Sequence, residues 1–210
     1  MRNAESIIYS PEQKPRLLKA LEPYFGDPQE SLHTQIKRKR CLSRFSKERI
    51  PGQDTTALVI GRFQPPHPGH FYLLEAALHV ADHVIVGIGS ANKRDTDKNP
   101  FSAELRKFML HEGLRRRRIQ SHYRFVYLND YDEDLDDYDK DQRWCDETLK
   151  LAGKPDVVVG NNDWVNNIFR ANNVRALEIK ELERSSYQGT VIRESLLEQG
   201  ILPLTIGGLK

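Results

Sequence analysis

Cysteine is scarce in this chain of 210 residues, which has only two. Cys41 and Cys145 are far apart and belong to no CxxC pair, so no disulfide framework is predicted. Two isolated cysteines suit a reducing compartment. The N-terminus lacks the apolar core of a signal peptide, and no apolar run is long enough to span a bilayer. We therefore expect a cytoplasmic protein that does not associate with membranes.

An excess of one charge is also absent. Lys and Arg number 32 and Asp and Glu 30, which leaves a formal net charge of +2. This balance argues against a protein that binds polyanions through its overall charge, and nucleic acid is not expected as a partner. Any chemistry on phosphate groups must come from local clusters of charge.

The first 54 residues differ from the rest, with 11 Lys or Arg against 7 Asp or Glu and hence a net +4. Ser10 and Pro11 are typical of a helix start, and a helical pattern follows as far as Gly26. Its apolar positions are Leu17, Leu18 and Leu21.

A second helix is predicted over residues 28–48, and it carries the basic run Lys37–Arg40. We interpret this run as a solvated helix face, because no aromatic residues alternate with the charges as they do in nucleic-acid platforms. Residues 50–54 have the composition of a linker. The predicted organisation is a helical, basic extension with its linker at 1–54 and a second domain at 55–210.

From residue 55 onward, short apolar runs alternate with helical patterns. This alternation predicts a doubly wound parallel α/β sheet of the Rossmann-like type. The predicted strands are 57–61, 83–89, 124–128, 156–160 and 175–179, and the helices are 69–81, 102–114, 141–151, 163–171 and 190–199. In the second of these helices, Leu105, Phe108 and Met109 are expected to face inward. Polar residues follow each strand, so they should share one rim of the sheet, where such folds bind ligands.

The first strand is followed by the segment Gly61–His70, which reads GRFQPPHPGH. Gly61 lets a ligand approach the backbone closely. The two histidines, His67 and His70, are three residues apart at the start of a helix. Free N–H groups at a helix start attract phosphate. With Arg62 they form a donor cluster suited to a phosphoryl group in transfer.

This segment resembles the HxGH signature of archaeal-type nicotinamide mononucleotide adenylyltransferases, in the nucleotidyltransferase superfamily. Three later segments resemble other family motifs in the same order. They are Gly89–Asn92 with Asn99–Arg106, Asp156–Phe169, and Ser186–Arg193. The resemblance covers about residues 55–200. It implies an enzyme that forms NAD and pyrophosphate from ATP and nicotinamide mononucleotide. It also implies that the chain assembles into a homo-oligomer.

The resemblance also implies roles for particular residues. His67, His70 and Arg193 would be catalytic. ATP would be bound by Gly61, Arg62, Phe63, Lys98, Gly160, Thr190 and Val191. The mononucleotide would be bound by Asp130, Trp144, Asn161 and Asn162. No protein metal site is expected, because Mg²⁺ would be held mainly by the phosphates of ATP.

Some interpretations stay open at this point. The acidic stretch 130–141 suits either a solvated insert or a set of Mg²⁺ ligands. Trp164 is expected to pack at the helix after Gly160. The acceptor could instead be nicotinate mononucleotide or another phosphate compound. The chain could also be a regulatory module that senses nicotinamide nucleotides. A co-crystal or thermal-shift comparison of NAD, its deamido form and other nucleotides would separate these readings.

Overall fold

The computed structural model describes residues 13–25, 54–131, 137–179 and 188–202, with only the backbone for residues 137 and 138. The predicted helix at 28–48, its basic run and most of the linker therefore lie outside the described residues. Within the described part, no helix combines the length and apolar character needed to cross a membrane.

Six α-helices, one short 3₁₀ helix and five strands are described. The helices are α1 (Gln13–Leu21), α2 (Pro68–Val80), α3 (Ala103–Arg116), α4 (Asp137–Ala152), α5 (Asp163–Ala171) and α6 (Gly189–Glu198), with a short 3₁₀ turn, Glu22–Tyr24, after α1. The strands are β1 (Thr56–Gly61), β2 (His83–Ile88), β3 (Tyr123–Tyr127), β4 (Val157–Gly160) and β5 (Arg175–Glu178).

The five strands form one parallel sheet in the order β3-β2-β1-β4-β5. The strand order reverses at β1, whose two neighbours are β2 and β4. In register, Gly61 at the end of β1 lies beside Ile88 at the end of β2. The predicted doubly wound sheet is therefore confirmed, and the polar segments after β1, β2 and β4 emerge at the same edge.

Helices cover both faces of the sheet, and the residues of β1 show why. Ala57 and Val59 belong to one buried apolar cluster, which also contains residues of α1, α2, α3 and α6. Leu58, between them, belongs to a second cluster with residues of α4 and α5. Because successive strand residues point to opposite faces, a continuous apolar run supplies both cores.

The segment 13–25 is part of the first core. Leu17, Leu21 and Phe25 are fully buried in the cluster on that face. Arg116 in α3 forms an ion pair with Glu22 at 2.6 Å, and Arg117 donates to the carbonyl of Phe25 at 3.1 Å. The predicted boundary at residue 54 stays a prediction, but this part of the extension packs on the α/β core.

One prediction about α3 is wrong. Leu105 and Met109 are buried as expected, but Phe108 is 38% exposed. Residues 105 and 109 are four apart and share the helix face that meets the sheet, whereas Phe108 lies at the edge of that face. Its ring instead lies 5.9 Å from Nζ of Lys14 in α1.

Arg106 joins the ends of β1 and β2. Its side chain is completely buried, and its guanidinium donates to the carbonyls of Arg62 and Gly89, each at 2.7 Å, and of Ser90 at 3.1 Å. Burial lowers the pKa of Arg106 to about 10, so the group still carries its charge at neutral pH. One buried cation thus holds together the two loops that emerge at the ligand-binding edge.

We expect Arg106→Met to destabilise the fold, because it leaves these carbonyl groups buried without a donor. A loss of about 3 kcal/mol in the free energy of unfolding is expected from unpaired buried acceptors. For a chain of this size, that corresponds to about 6–12 °C in Tm.

The matched control is Arg115→Met, which removes an exposed arginine of the same helix whose described ion pair is with Glu112. It should change the free energy of unfolding by less than about 0.5 kcal/mol. Equal stability of the two variants in chemical denaturation would contradict the role of Arg106.

Candidate functional site

A cleft of about 860 Å³ opens at the carboxyl ends of β1 and β4. This is the point at which the strand order reverses, and open parallel sheets bind ligands there. Arg62, His70 and Ser90 line one end, and Asp141, Trp144 and Trp164 line the other. The cleft therefore has a basic end beside β1 and β2 and an aromatic, acidic end beside α4 and α5.

The loop after β1 has an unusual backbone. Phe63 adopts a φ of 51°, in the left-handed region that a bulky residue rarely enters, yet its ring is almost fully buried. A Cβ at Gly61 would lie 3.0 Å from that ring. Gly61 thus makes room for Phe63 as well as lining the cleft, and core packing keeps the loop in this strained conformation.

Three further hydrogen bonds hold the same loop. The buried amide of Gln64 donates to the carbonyl of Phe101 at 2.9 Å and accepts from its N–H at 3.0 Å. Nη1 of Arg193 donates to the carbonyl of Gln64 at 2.7 Å. The loop is therefore fixed from α3 and from α6 before any ligand binds.

His67 and His70 stack at the start of α2, with ring centroids 3.7 Å apart. The backbone N–H of His67 donates to Nδ1 of His70 at 3.3 Å. Desolvation and the neighbouring His67 lower the pKa of His70 well below its usual 6.5. Neutral His70 must therefore carry its proton on Nε2, where it can donate.

The loop after β2 is tied to Asp130. Oγ of Ser90 donates to this carboxylate at 3.1 Å, and Nζ of Lys93 lies 3.1 Å from it. Asn92 donates to the carbonyl of Asp130 at 2.9 Å and accepts from its N–H at 2.9 Å. Asp130 lines the cleft, and its role in binding the mononucleotide stays a prediction.

At the other end of the cleft, two indoles lie together. Trp144 is 8% exposed and its ring centroid is 5.1 Å from that of Trp164, which is 49% exposed. Nε1 of Trp164 donates to Asp141, at 3.2 Å from Oδ1 and 3.1 Å from Oδ2. Trp164 lies in the first turn of the helix after Gly160, as expected, beside the N-cap Asn162, and it also lines the cleft.

The structure brings together about half of the predicted site residues. Those that line the cleft are Gly61, Arg62, His70, Asp130, Trp144, Asn161 and Asn162. His67 is stacked behind His70, and Arg193 also donates to Oγ1 of Thr190 at 3.1 Å. Phe63 is buried, Lys98 and Val191 are exposed, and Gly160 ends β4. The binding roles given to these residues stay predictions.

Several cleft residues were not among the predicted site residues, although Gly89 and Ser90 belong to a segment that resembles a family motif. They are Ile60, Leu73, Gly89, Ser90, Tyr131, Lys140, Asp141, Asp163, Trp164 and Val165. A usable signal existed for Asp163 and Trp164. Both directly follow the polar turn after β4, and the first turn of a helix at the carboxyl edge of a parallel sheet faces the ligand. Tyr131, Lys140 and Asp141 belong to the acidic stretch, which has no regular pattern.

Metal-ligating clusters were sought among the residues that the structure describes. In that part of the chain, no group of three or more His, Cys, Asp or Glu side chains is arranged to hold a metal ion. Residues 132–136 of the acidic stretch lie outside the described residues. Whether that stretch binds Mg²⁺ stays open.

Comparison with known proteins gives a consistent result. The cytidylyltransferase-like family matches residues 58–194. The nicotinamide-nucleotide adenylyltransferase of Thermoplasma volcanium is 33% identical over 142 residues, which cover 68% of this chain and 75% of the relative. The enzyme of the same name from Archaeoglobus fulgidus is 32% identical over 143 residues, covering 68% and 80%.

Among solved structures, a bifunctional NMN adenylyltransferase/ADP ribose pyrophosphatase from Francisella tularensis is 25% identical, with a TM-score of 0.61. It matches 70% of this chain and 43% of that longer protein. A second structure of the protein, complexed with AMP and a manganese ion, has a TM-score of 0.56 at 24% identity and shows the same fold.

The match to the family and the identity to archaeal relatives agree with the motifs seen in the sequence. The resemblance predicted from Gly61–His70 is thereby confirmed. The chain belongs to the cytidylyltransferase-like family of nucleotidyltransferases, among the nicotinamide-nucleotide adenylyltransferases.

Proposed function

We propose that this chain transfers AMP from ATP to nicotinamide mononucleotide and releases pyrophosphate, forming NAD. The observation that carries the proposal is the position of His70, whose imidazole lines the cleft at the start of α2 on a loop fixed from three sides. Donors held in advance are what a phosphoryl-transfer site needs, since such catalysis is mainly positioning and charge stabilisation.

The reaction is a direct displacement at the α-phosphorus of ATP. An oxygen of the mononucleotide 5′-phosphate forms a bond to this phosphorus, and the bond to the bridging oxygen of pyrophosphate breaks. The attacking phosphate is already ionised, so no general base is needed. What the protein must supply is alignment of the two nucleotides and stabilisation of the negative charge on the transferred group.

His70 supplies one donor for this charge. Its Nδ1 accepts the N–H of His67, so the proton of the neutral ring lies on Nε2. The partial positive charge at the start of α2 acts on the same region. His67 contributes by stacking, which fixes the plane of the His70 ring.

Pyrophosphate leaves toward a second basic group. Arg193 lies in the first two turns of α6. Desolvation, and to a smaller extent the neighbouring charge of Arg62, lowers the pKa of Arg193. Among the described contacts, Nη1 and Nη2 of Arg193 each donate one bond, and a guanidinium has five N–H donors. The remaining donors of Arg193, with exposed Lys98, would hold the β- and γ-phosphates.

Mg²⁺ is expected to enter as part of the substrate, bridging the phosphates of ATP. The basic end of the cleft suits phosphates that bring their own cation, since Arg62 and the imidazoles are donors and do not offer the hard oxygen ligands that Mg²⁺ prefers. The homo-oligomeric state and the cytoplasmic location also stay predictions.

We expect His70→Ala to lower kcat by about 10²–10³-fold, the usual cost of one lost charge-stabilising donor. His67→Ala should also lower kcat, because the ring that orients His70 is gone. The measurement is formation of NAD and pyrophosphate from ATP, Mg²⁺ and nicotinamide mononucleotide.

The control is His79→Ala, which removes an exposed histidine in the last turn of the same helix. This variant should retain full activity. If both His67→Ala and His70→Ala keep near-normal rates while remaining folded, the proposed mechanism is wrong.

The depressed pKa of His70 predicts a pH dependence of stability. The unfolded chain binds this proton more tightly than the folded chain, so stability is unaffected above the ordinary pKa of about 6.5 and falls as the pH drops below it. His70→Gln removes this contribution.

The test compares Tm from about pH 7.5 down to pH 5.5, the range that spans the ordinary histidine pKa. The wild type should lose more Tm over this range than His70→Gln, and His79→Gln should follow the wild type. Parallel curves for His70→Gln and the wild type would contradict a depressed pKa.

A further inference from the structure

The aromatic end of the cleft contains a side-chain pair that the steps above do not use. Trp164 leaves about half of its surface exposed, which is unusual for the largest apolar side chain. Its indole is held in place because Nε1 donates to both oxygens of Asp141. The pair connects the start of α5 to the first turns of α4, across the end of the cleft opposite to His70.

Of the two indoles, Trp164 offers more surface to a ligand. Trp144 is 8% exposed and packs edge to face on Phe169, with ring centroids 5.9 Å apart. It lies beneath Trp164 at 5.1 Å and supports it. An electron-rich indole face attracts a cationic aromatic ring, which is the state of the pyridine ring in this class of mononucleotide.

Two carboxylates that line the cleft, Asp130 near its basic end and Asp141 at its aromatic end, differ in how many donors they already accept from. Asp130 accepts from Ser90 and pairs with Lys93. Among the described contacts, Asp141 accepts one N–H, that of Trp164, shared between its two oxygens. A carboxylate has about four acceptor sites, so Asp141 can accept further N–H donors from a ligand. It can donate none while ionised.

We propose that Asp141 and Trp164 form a specificity-determining pair that favours the amide form of the pyridine ring over the acid form. This inference rests on the proposed function. Trp164 provides the surface for the ring, and Asp141 accepts the N–H groups of the amide. A ring carboxylate has no hydrogen to donate and is repelled by the charge of Asp141.

One charge at the same end opposes this selection. Lys140 precedes Asp141 and also lines the cleft, and an ammonium group would attract a ring carboxylate. Asp163, exposed in the first turn of α5, lines the cleft as well and adds a second negative charge. Among these three residues, the two carboxylates outweigh the one ammonium, which favours the amide form.

The test measures kcat/KM with ATP for nicotinamide mononucleotide and for nicotinate mononucleotide. The wild type should prefer the amide. Asp141→Asn keeps one oxygen that can accept from Trp164, loses the charge and replaces the second oxygen with an N–H donor. It should reduce this preference by about tenfold, the effect of one lost charge interaction of ordinary size. KM for ATP should stay unchanged.

Two further variants separate specificity from structure. Trp164→Phe keeps an aromatic ring but loses the N–H that binds Asp141, so KM for the mononucleotide should rise with a smaller effect on kcat. Asp146→Asn is the matched control, because Asp146 is an exposed residue of α4 that accepts only from Gln142 among the described contacts and does not line the cleft. It should leave both acceptors unaffected.

The outcomes separate a failure of the proposed function from a failure of the specificity role of Asp141. If the folded wild type forms a dinucleotide from neither acceptor, the proposed function fails. If it turns over the amide but Asp141→Asn leaves the ratio of the two kcat/KM values unchanged, the specificity role of Asp141 is wrong. A wild type that prefers the acid, with the preference abolished by Lys140→Gln, would overturn the inference in favour of Lys140.

Discussion

The site depends first on the buried guanidinium of Arg106. A parallel sheet presents the loops after its strands at one edge, but nothing in the sheet itself fixes how those loops lie relative to each other. Here the carbonyls of Arg62, Gly89 and Ser90 converge on one cation that is wholly enclosed. An enclosed charge is tolerated only when its donors are satisfied, so the loop geometry is tightly specified.

The other contacts around the cleft build on this arrangement. Gln64 bonds to Phe101 at the start of the segment that leads into α3, and Arg193 reaches from α6 to the same loop. The strained backbone at Phe63 is kept in place by burial of its ring. The imidazole of His70 is therefore positioned by elements distant in the chain, which is how a donor is prepared before charge develops on the substrate.

Much of the fold could be predicted because local patterns and the global fold agree. The strand 57–61 was predicted within one residue of β1, since an apolar run ending in glycine suits a strand buried on both faces. Phe108 shows the limit of this reasoning. Helical spacing defines a face to within about one residue, and the packing partner decides which edge positions are covered. The core role of residues 13–25 depends on long-range contacts that no local pattern encodes.

The site residues also differ in whether the sequence could predict their positions. His67, His70 and Arg193 could be predicted because short motifs place them at helix starts after strands. Asp141 and Trp164 could not, because they meet across the cleft from different helices and only the tertiary structure brings them within hydrogen-bonding distance. The residue type of Trp164 suggested ordinary packing, whereas its place in the first turn of α5 puts it at the cleft.

The most direct test of this account is a crystal structure of the chain with NAD bound. The diphosphate should lie at the start of α2, with an oxygen about 2.7–3.1 Å from Nε2 of His70, the distance expected for a charge-stabilising donor. The nicotinamide ring should lie against Trp164, with its amide nitrogen donating to Asp141. A diphosphate bound away from His70, or NAD bound outside the cleft at the carboxyl ends of β1 and β4, would contradict it.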